Sequence, residues 1–205
     1  MPDFELENEY NDVVVGIDEA GRGPWVGPVV AGAVFFVKKE VNSYLLENLN
    51  DSKKISKKKR EILYDLLLEE QNKGNVKIGI GEACAKEIDE LNILNATFLA
   101  MKRALEKCEV KPSMVLIDGN RVPKNFEFSA KAIIKGDAKS YSISAASIVA
   151  KVYRDKLMEE MAVKYPNYGF ENNAGYGTKE HIEALKKYGI TPEHRMSYKP
   201  IKEFL

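Results

Sequence analysis

Net charge is missing from this chain: 31 Lys and Arg stand against 31 Asp and Glu. Global charge therefore neither supports nor excludes a nucleic-acid partner, and only the distribution of charge carries information. That distribution is uneven, with an acidic N-terminus and a cation-dense run from Lys53 to Arg60. Histidine is scarce. His181 and His194 have no ligand-spaced partner, so capping or packing is expected of them rather than metal binding. Cysteine is equally scarce. Cys84 and Cys108 match no metal or redox spacing and read as reduced, buried thiols of a cytosolic protein. Long apolar runs are absent, which excludes a spanning helix. The longest run, Val29 to Val37, is broken by Gly32. The first residues, Met1 to Glu7, lack an apolar signal region, so export is not expected and a cytoplasmic location is. No repeat, low-complexity tract or linker divides the 205 residues.

What is present reads as alternating strands and helices. Val13 to Asp18 is apolar on both faces, as a central strand should be. Gly21 to Pro24 is a turn, and Val29 to Val37 a second strand, antiparallel because the connection is short. Ser56 can cap a helix running to Gln71, with Ile62, Leu63, Leu66 and Leu67 on its buried side. Val76 to Glu82 is a third strand. Leu94, Phe98, Met101 and Leu105 recur at helical spacing. Met114 to Asp118 and Ala132 to Ile134 are two further strands. Tyr141 to Lys164 is a long helix with Ser144, Ile148, Val152 and Asp155 on one stripe. Glu180 to Tyr188 is the last helix. The order implies an α/β fold, a mixed five-stranded sheet flanked by helices.

The carboxylates carry the chemistry. Asp18 and Glu19 close the first apolar run, and Asp118 closes the fourth strand. Neighbouring strand ends are where open α/β sheets hold ligands. Asp155 lies about two turns beyond Ile148 and so points toward the sheet. Carboxylates gathered in one place repel, and remain ionised together only with cations among them. Oxygen donors without His or Cys suit Mg²⁺ or Mn²⁺. Two such ions stabilise both oxygens of an in-line phosphoryl displacement. The competing reading of each acid is ordinary: Asp118 as a turn residue, Asp155 as an ion-pair partner of Lys151 or Arg154.

Gly16-Ile17-Asp18-Glu19-Ala20-Gly21-Arg22-Gly23-Pro24 with Gly27-Pro28-Val29 resembles the opening signature of ribonuclease HII. Asp51-Ser52-Lys53-Lys54, Asp118-Gly119-Asn120, Gly136-Asp137 with Ser144 to Asp155, Gly175 to Thr178, and His194-Arg195 with Ser197 continue the resemblance in order. It departs at Trp25, where a smaller apolar residue is commoner, at Ala174, where a basic residue is frequent, and at Tyr198, which replaces a usual Phe. The resemblance implies an RNase H-like catalytic domain over residues 1–165 and a small helical C-terminal extension over 166–205. It implies hydrolysis of RNA in RNA·DNA hybrids and cutting 5′ of single ribonucleotides in duplex DNA, leaving a 3′-OH and a 5′-phosphate; a monomer is expected. Asp18, Glu19, Asp118 and Asp155 would be the catalytic, metal-binding carboxylates.

Substrate contacts follow from the same resemblance. The Gly21-Arg22-Gly23 loop would read the ribose 2′-OH through its backbone, which the glycines let approach closely. Tyr176, set between two glycines, would pack on the neighbouring sugar. Lys53 is the candidate phosphate contact in a cation run that is otherwise a solvated helix face. Asn120 would bind substrate, and Lys139 and Ser140 would touch the opposite strand. A phosphoacceptor receiver domain also gathers acids at strand ends, but the chain length and the Asp155 helix disfavour it. A catalytically dead hybrid-binding module is disfavoured by four intact carboxylates.

Overall fold

The computed structural model describes residues 1–10, 12–52, 54–124 and 126–205. In chain order its elements are α1 (Glu5–Asn8), β1 (Val14–Ala20), β2 (Val29–Phe36), α2 (Ser43–Asn48), α3 (Lys57–Asn72), β3 (Val76–Ala83), α4 (Ala85–Leu91), α5 (Ile93–Cys108), β4 (Met114–Asp118), β5 (Ala130–Ile133), α6 (Tyr141–Lys164), α7 (Phe170–Asn173), α8 (Lys179–Tyr188) and α9 (Lys199–Lys202). The five strands form one sheet in the order β3-β2-β1-β4-β5. β1 pairs antiparallel with β2 and parallel with β4. β2 pairs antiparallel with β3, and β4 parallel with β5. The sheet is therefore mixed, as expected.

Helices cover both faces. On one, Val15, Ile17, Ala31 and Ala33 of the sheet meet Ala100, Met101 and Ala104 of α5. On the other, Val34 and Phe36 meet Leu63 and Leu67 of α3 and Ala145, Ala146 and Val149 of α6. Each fully buried Leu or Val contributes about 1.5–3 kcal/mol. α6 lies against β2 itself: a Cβ on Gly32 would stand 2.5 Å from the Ala146 carbonyl oxygen. Gly32 thus lets the helix backbone seat on the strand rather than breaking it. The residues beyond α6 form a third cluster, in which Tyr168, Phe170, Leu185 and Ile201 pack with Val26 and with Met158 of α6.

Several expectations shift. β1 runs through Asp18 and Glu19 to Ala20, so both acids lie within a strand instead of just closing it. Ile62 is 41% exposed; the buried side of α3 is Leu63, Tyr64, Leu67 and Glu70. Successive helical residues turn by about a hundred degrees, and with Leu63 and Tyr64 both facing the core Ile62 is carried past the edge of that face. α4 was not anticipated. It starts after Cys84, whose amide donates to Glu87, and Arg103 clasps Glu87 at 2.6 Å. Cys84 is exposed, not buried. Cys108 is buried, and burial pushes its thiol up to about 12. No helix among the described residues is long and apolar enough to cross a membrane.

Candidate active site

β1 and β4 run parallel, with Ile17 opposite Ile117, so the next residues along, Asp18 and Asp118, emerge side by side. Asp18 is 7% exposed, and its Oδ1 accepts the Glu19 amide at 2.7 Å. Burial holds the Asp18 carboxyl well above the usual carboxylate range, and repulsion from Glu19 and Asp118 adds to the effect. Asp118 Oδ1 accepts the Gly136 amide at 2.7 Å, which ties the end of β4 to the turn after β5. Glu19 is half-buried and pairs with Arg22 at 3.3 Å. Asp18, Glu19 and Asp118 are therefore brought together as expected.

Asp155 comes from α6 and has cationic company. Lys151 donates to it at 2.6 Å and Arg60 approaches at 3.7 Å. The Lys151 pair matches the competing reading; Arg154 does not touch it. Asp155 is nevertheless wired to Asp18. Arg60 also donates to the Ser52 carbonyl at 2.8 Å, Ser52 Oγ lies 2.9 Å from Ser147 Oγ, and the Ser147 hydroxyl bonds to Asp18. Ser52 and Ser147 escaped the sequence reading because small hydroxyl residues on buried helices and turns look like filler. Their only signal is that both fall within the quoted family blocks.

The donor set fits a hard divalent cation. It is all oxygen, and a cation would relieve the repulsion that Glu19 and Asp118 exert on Asp18. Among the described residues, no three Asp, Glu, His or Cys side chains converge closely enough to enclose an ion unaided. Mg²⁺ keeps several waters and takes its remaining oxygens from one or two carboxylates and substrate phosphate, so an open donor set suits it. A cleft of about 420 Å³ opens beside Glu19 and Asp118, with Leu94, Phe98 and Met101 in its wall and Arg22, Asn120 and Arg121 among its polar residues. A separate cavity of about 480 Å³, lined by Phe4, Tyr10 and Val14, includes none of the four acids.

The other candidates are placed as follows. Gly21 has φ +92°, and a Cβ there would stand 2.0 Å from Arg154 Nε, so only glycine fits. Arg22 and Gly23 are exposed. Tyr176 is 51% exposed, and its ring borders Gly23, where an added Cβ would lie 3.3 Å from Cε1. Asn120 and Lys139 are exposed. Lys53 lies outside the described residues. Ser140 corrects the expectation of a strand contact. It is fully buried, caps α6 by accepting the Ile143 amide, and donates to Glu7 at 2.6 Å.

Sequence reasoning also missed two buried arginines. Arg154 donates to the carbonyls of Pro28, Ala174 and Val26, each at 3.2 Å. Burial lowers its guanidinium to about 10. Arg195 donates to the carbonyls of Gly21 at 2.6 Å, Arg22 at 3.0 Å and Gly27 at 2.9 Å. Burial lowers Arg195 too.

A mixed five-stranded sheet with acids on adjoining central strands, and a further acid on the helix packed over them, defines an RNase H-like hydrolase. The family model for ribonuclease HII matches residues 15–201. The chain is 47% identical to the ribonuclease HII of Paramagnetospirillum magneticum, over 100% of this chain and 99% of that one. It is 49% identical to that of Rhodospirillum rubrum, over 100% and 92%. The crystal structure of ribonuclease H2 from Pyrococcus horikoshii superposes with a TM-score of 0.74 at 30% identity, covering 94% of this chain and 97% of that one. The chain belongs to the ribonuclease HII family. It is a ribonuclease H-type endonuclease acting on the RNA of RNA·DNA hybrids, in a family that depends on divalent metal.

Proposed function

We propose that this enzyme also cuts duplex DNA on the 5′ side of a single embedded ribonucleotide, leaving a 3′-OH and a 5′-phosphate. The observation that carries the reading is the meeting of three elements: the Asp18–Asp118 strand ends, the Gly21–Gly23 loop that follows β1, and the Tyr176 ring beside Gly23. A loop that inspects one ribose and a ring that packs on the next sugar inspect a junction, not a uniform strand. Asp18, Glu19, Asp118 and Asp155 would hold Mg²⁺ or Mn²⁺. Two bound ions would supply Lewis-acid stabilisation of the charge that builds on the attacking and leaving oxygens.

The chain's own residues do the rest. Glu19 and Arg22 pair at the mouth of the cleft, and Arg22 offers a cation to a phosphate there. Ser147 and Gly136 orient the carboxyls of Asp18 and Asp118. Arg60 and Lys151 keep Asp155 in place. Asn120, exposed at the rim, and Lys139 are further substrate contacts under this reading. The 2′-OH is recognised and is not the nucleophile; water is. The test is incubation of purified enzyme with a DNA duplex carrying one ribonucleotide, with Mg²⁺, with Mn²⁺ and with chelator. A metal-dependent cut immediately 5′ of the ribonucleotide supports the reading. Cleavage of long hybrids alone refutes it.

A further inference from the structure

His194 and Arg195 are adjacent, both buried, and reach different elements. Arg195 holds the carbonyls of Gly21 and Arg22, and the Tyr198 hydroxyl adds a bond to the Arg22 carbonyl at 2.6 Å. Tyr198 stands where the family resemblance leads one to expect Phe, which could not make that bond. His194 leads the other way. Its Nδ1 accepts the Thr191 amide at 2.9 Å, so its proton sits on Nε2. Nε2 lies 3.1 Å from His181 Nε2, which must accept. The His181 proton is therefore on Nδ1, 2.9 Å from the Tyr176 carbonyl oxygen, which can only accept. Read from either end, the chain has one proton order.

We infer that His181, His194 and Arg195 are positioning residues that set the spacing between the Gly21–Gly23 loop and Tyr176, and thereby tune the recognition of a single ribonucleotide. The inference rests on the junction reading above. The loop carbonyls bind Arg195 directly and the Tyr176 carbonyl is reached through His181 and His194, so both elements are referred to one short segment. That segment is itself fixed: the Arg195 amide donates to Trp25, and Asp89 of α4 accepts the Met196 and Ser197 amides at 2.9 and 2.8 Å. Misplacement by about 1 Å can cost a hundredfold in rate, so a positional device of this kind has consequences for turnover.

The test uses amides that mimic one imidazole nitrogen each. The Asn amide falls near the Nδ1 position and the Gln amide near Nε2. H181N keeps the bond to Tyr176, whereas H181Q keeps only the contact with His194. We expect H181Q to lose about tenfold or more on the single-ribonucleotide duplex and less on long hybrids, with H181N within about threefold of wild type on both. R195K, which lacks the fork, should behave as H181Q does, and Y198F should show a smaller loss of the same kind. The Mg²⁺ dependence of hybrid cleavage should not move in any variant. H181N and H181Q indistinguishable in substrate preference, with wild type cutting both substrates, would overturn this inference alone. Wild type failing on the single-ribonucleotide duplex would overturn the junction reading and this inference with it. Nitrogen-15 NMR of the wild-type imidazoles checks the relay without activity. His194 protonated on Nε2 and His181 on Nδ1 is expected, and the reverse order would overturn it.

Discussion

Asp18 is the residue on which chemistry and stability oppose each other. Its carboxyl is buried and pressed by Glu19 and Asp118, so without metal the ionised form is disfavoured. Asp18→Asn should abolish cleavage while the metal-free protein unfolds at the same temperature as wild type or higher. Calorimetry in chelator and a hybrid-cleavage assay check both halves; near-normal Mg²⁺-dependent activity would remove Asp18 from the site. His194 makes the opposite case. Burial lowers its imidazole to about 4, from a usual value near 6.5. Below about 6.5 the unfolded chain takes up the proton more readily than the folded one. The neutral imidazole therefore contributes its full stability above that pH and loses it as pH falls through about 4, up to about 3 kcal/mol. Denaturant unfolding of wild type and His194→Gln across that window should show the wild-type slope reduced in the variant. Asp18, Glu19 and Asp118 were readable from sequence because they stand at the ends of apolar runs, and Asp155 because it continues a helical stripe. The tautomer chain was not, because nothing in a lone His reveals which buried nitrogen will face it.

At the scale of the element, α6 depends on a segment far away in sequence. Glu7 of α1 accepts the Ser142 amide at 2.9 Å and the hydroxyls of Ser140 and Ser142, each at 2.6 Å. A buried carboxylate at the N-terminus of a helix satisfies donors there and meets the positive end of its dipole. Glu7→Ala should lower stability by about 2–3 kcal/mol, since it leaves buried donors unpaired. The activity of the folded fraction should be unchanged, as measured by chemical denaturation beside a cleavage assay. The patterns found α3, α6 and the five strands with ends correct to a residue or two, and α5 by the spacing of Leu94, Phe98, Met101 and Leu105. They erred where one signal had two meanings. The buried face of α3 centres on Leu63, Tyr64 and Leu67, which leaves Ile62 past its edge and in solvent. The first half of α6 is buried on every side, from Ser142 to Ala150, so the stripe of Ser144, Ile148, Val152 and Asp155 marks one side of a helix that is buried on others too. α4 was invisible because its start is marked by Cys84, a weak capping residue.

At the scale of the molecule, we propose that residues 166–205 act with the sheet as one functional unit. Strand-like pairing of Val26 with His194, the Arg195 bonds and the shared cluster around Met158 join the extension to the segment after β1. The Val26–His194 pairing and the Arg195 bonds link residues more than a hundred and sixty positions apart, and no local pattern announces them. The cation run from Lys53 to Arg60 also divides at this scale. Arg60 turns inward to hold the Ser52 loop, leaving the lysines as the source of any phosphate patch. Hybrid binding should weaken steeply with salt, and Lys53→Ala should reduce the slope by about one counterion. An unchanged slope would make the run a plain solvated face.

If the carboxylates and the junction reader form one site, wild type and Tyr176→Ala will differ unequally on two substrates in the same buffer, a DNA duplex with one ribonucleotide and a long hybrid. Wild type is expected to cut the first on the 5′ side of the ribonucleotide. The variant should lose more on that substrate than on the hybrid, which offers many registers. Equal losses on both, or no wild-type cleavage of the single-ribonucleotide duplex, would contradict a single site.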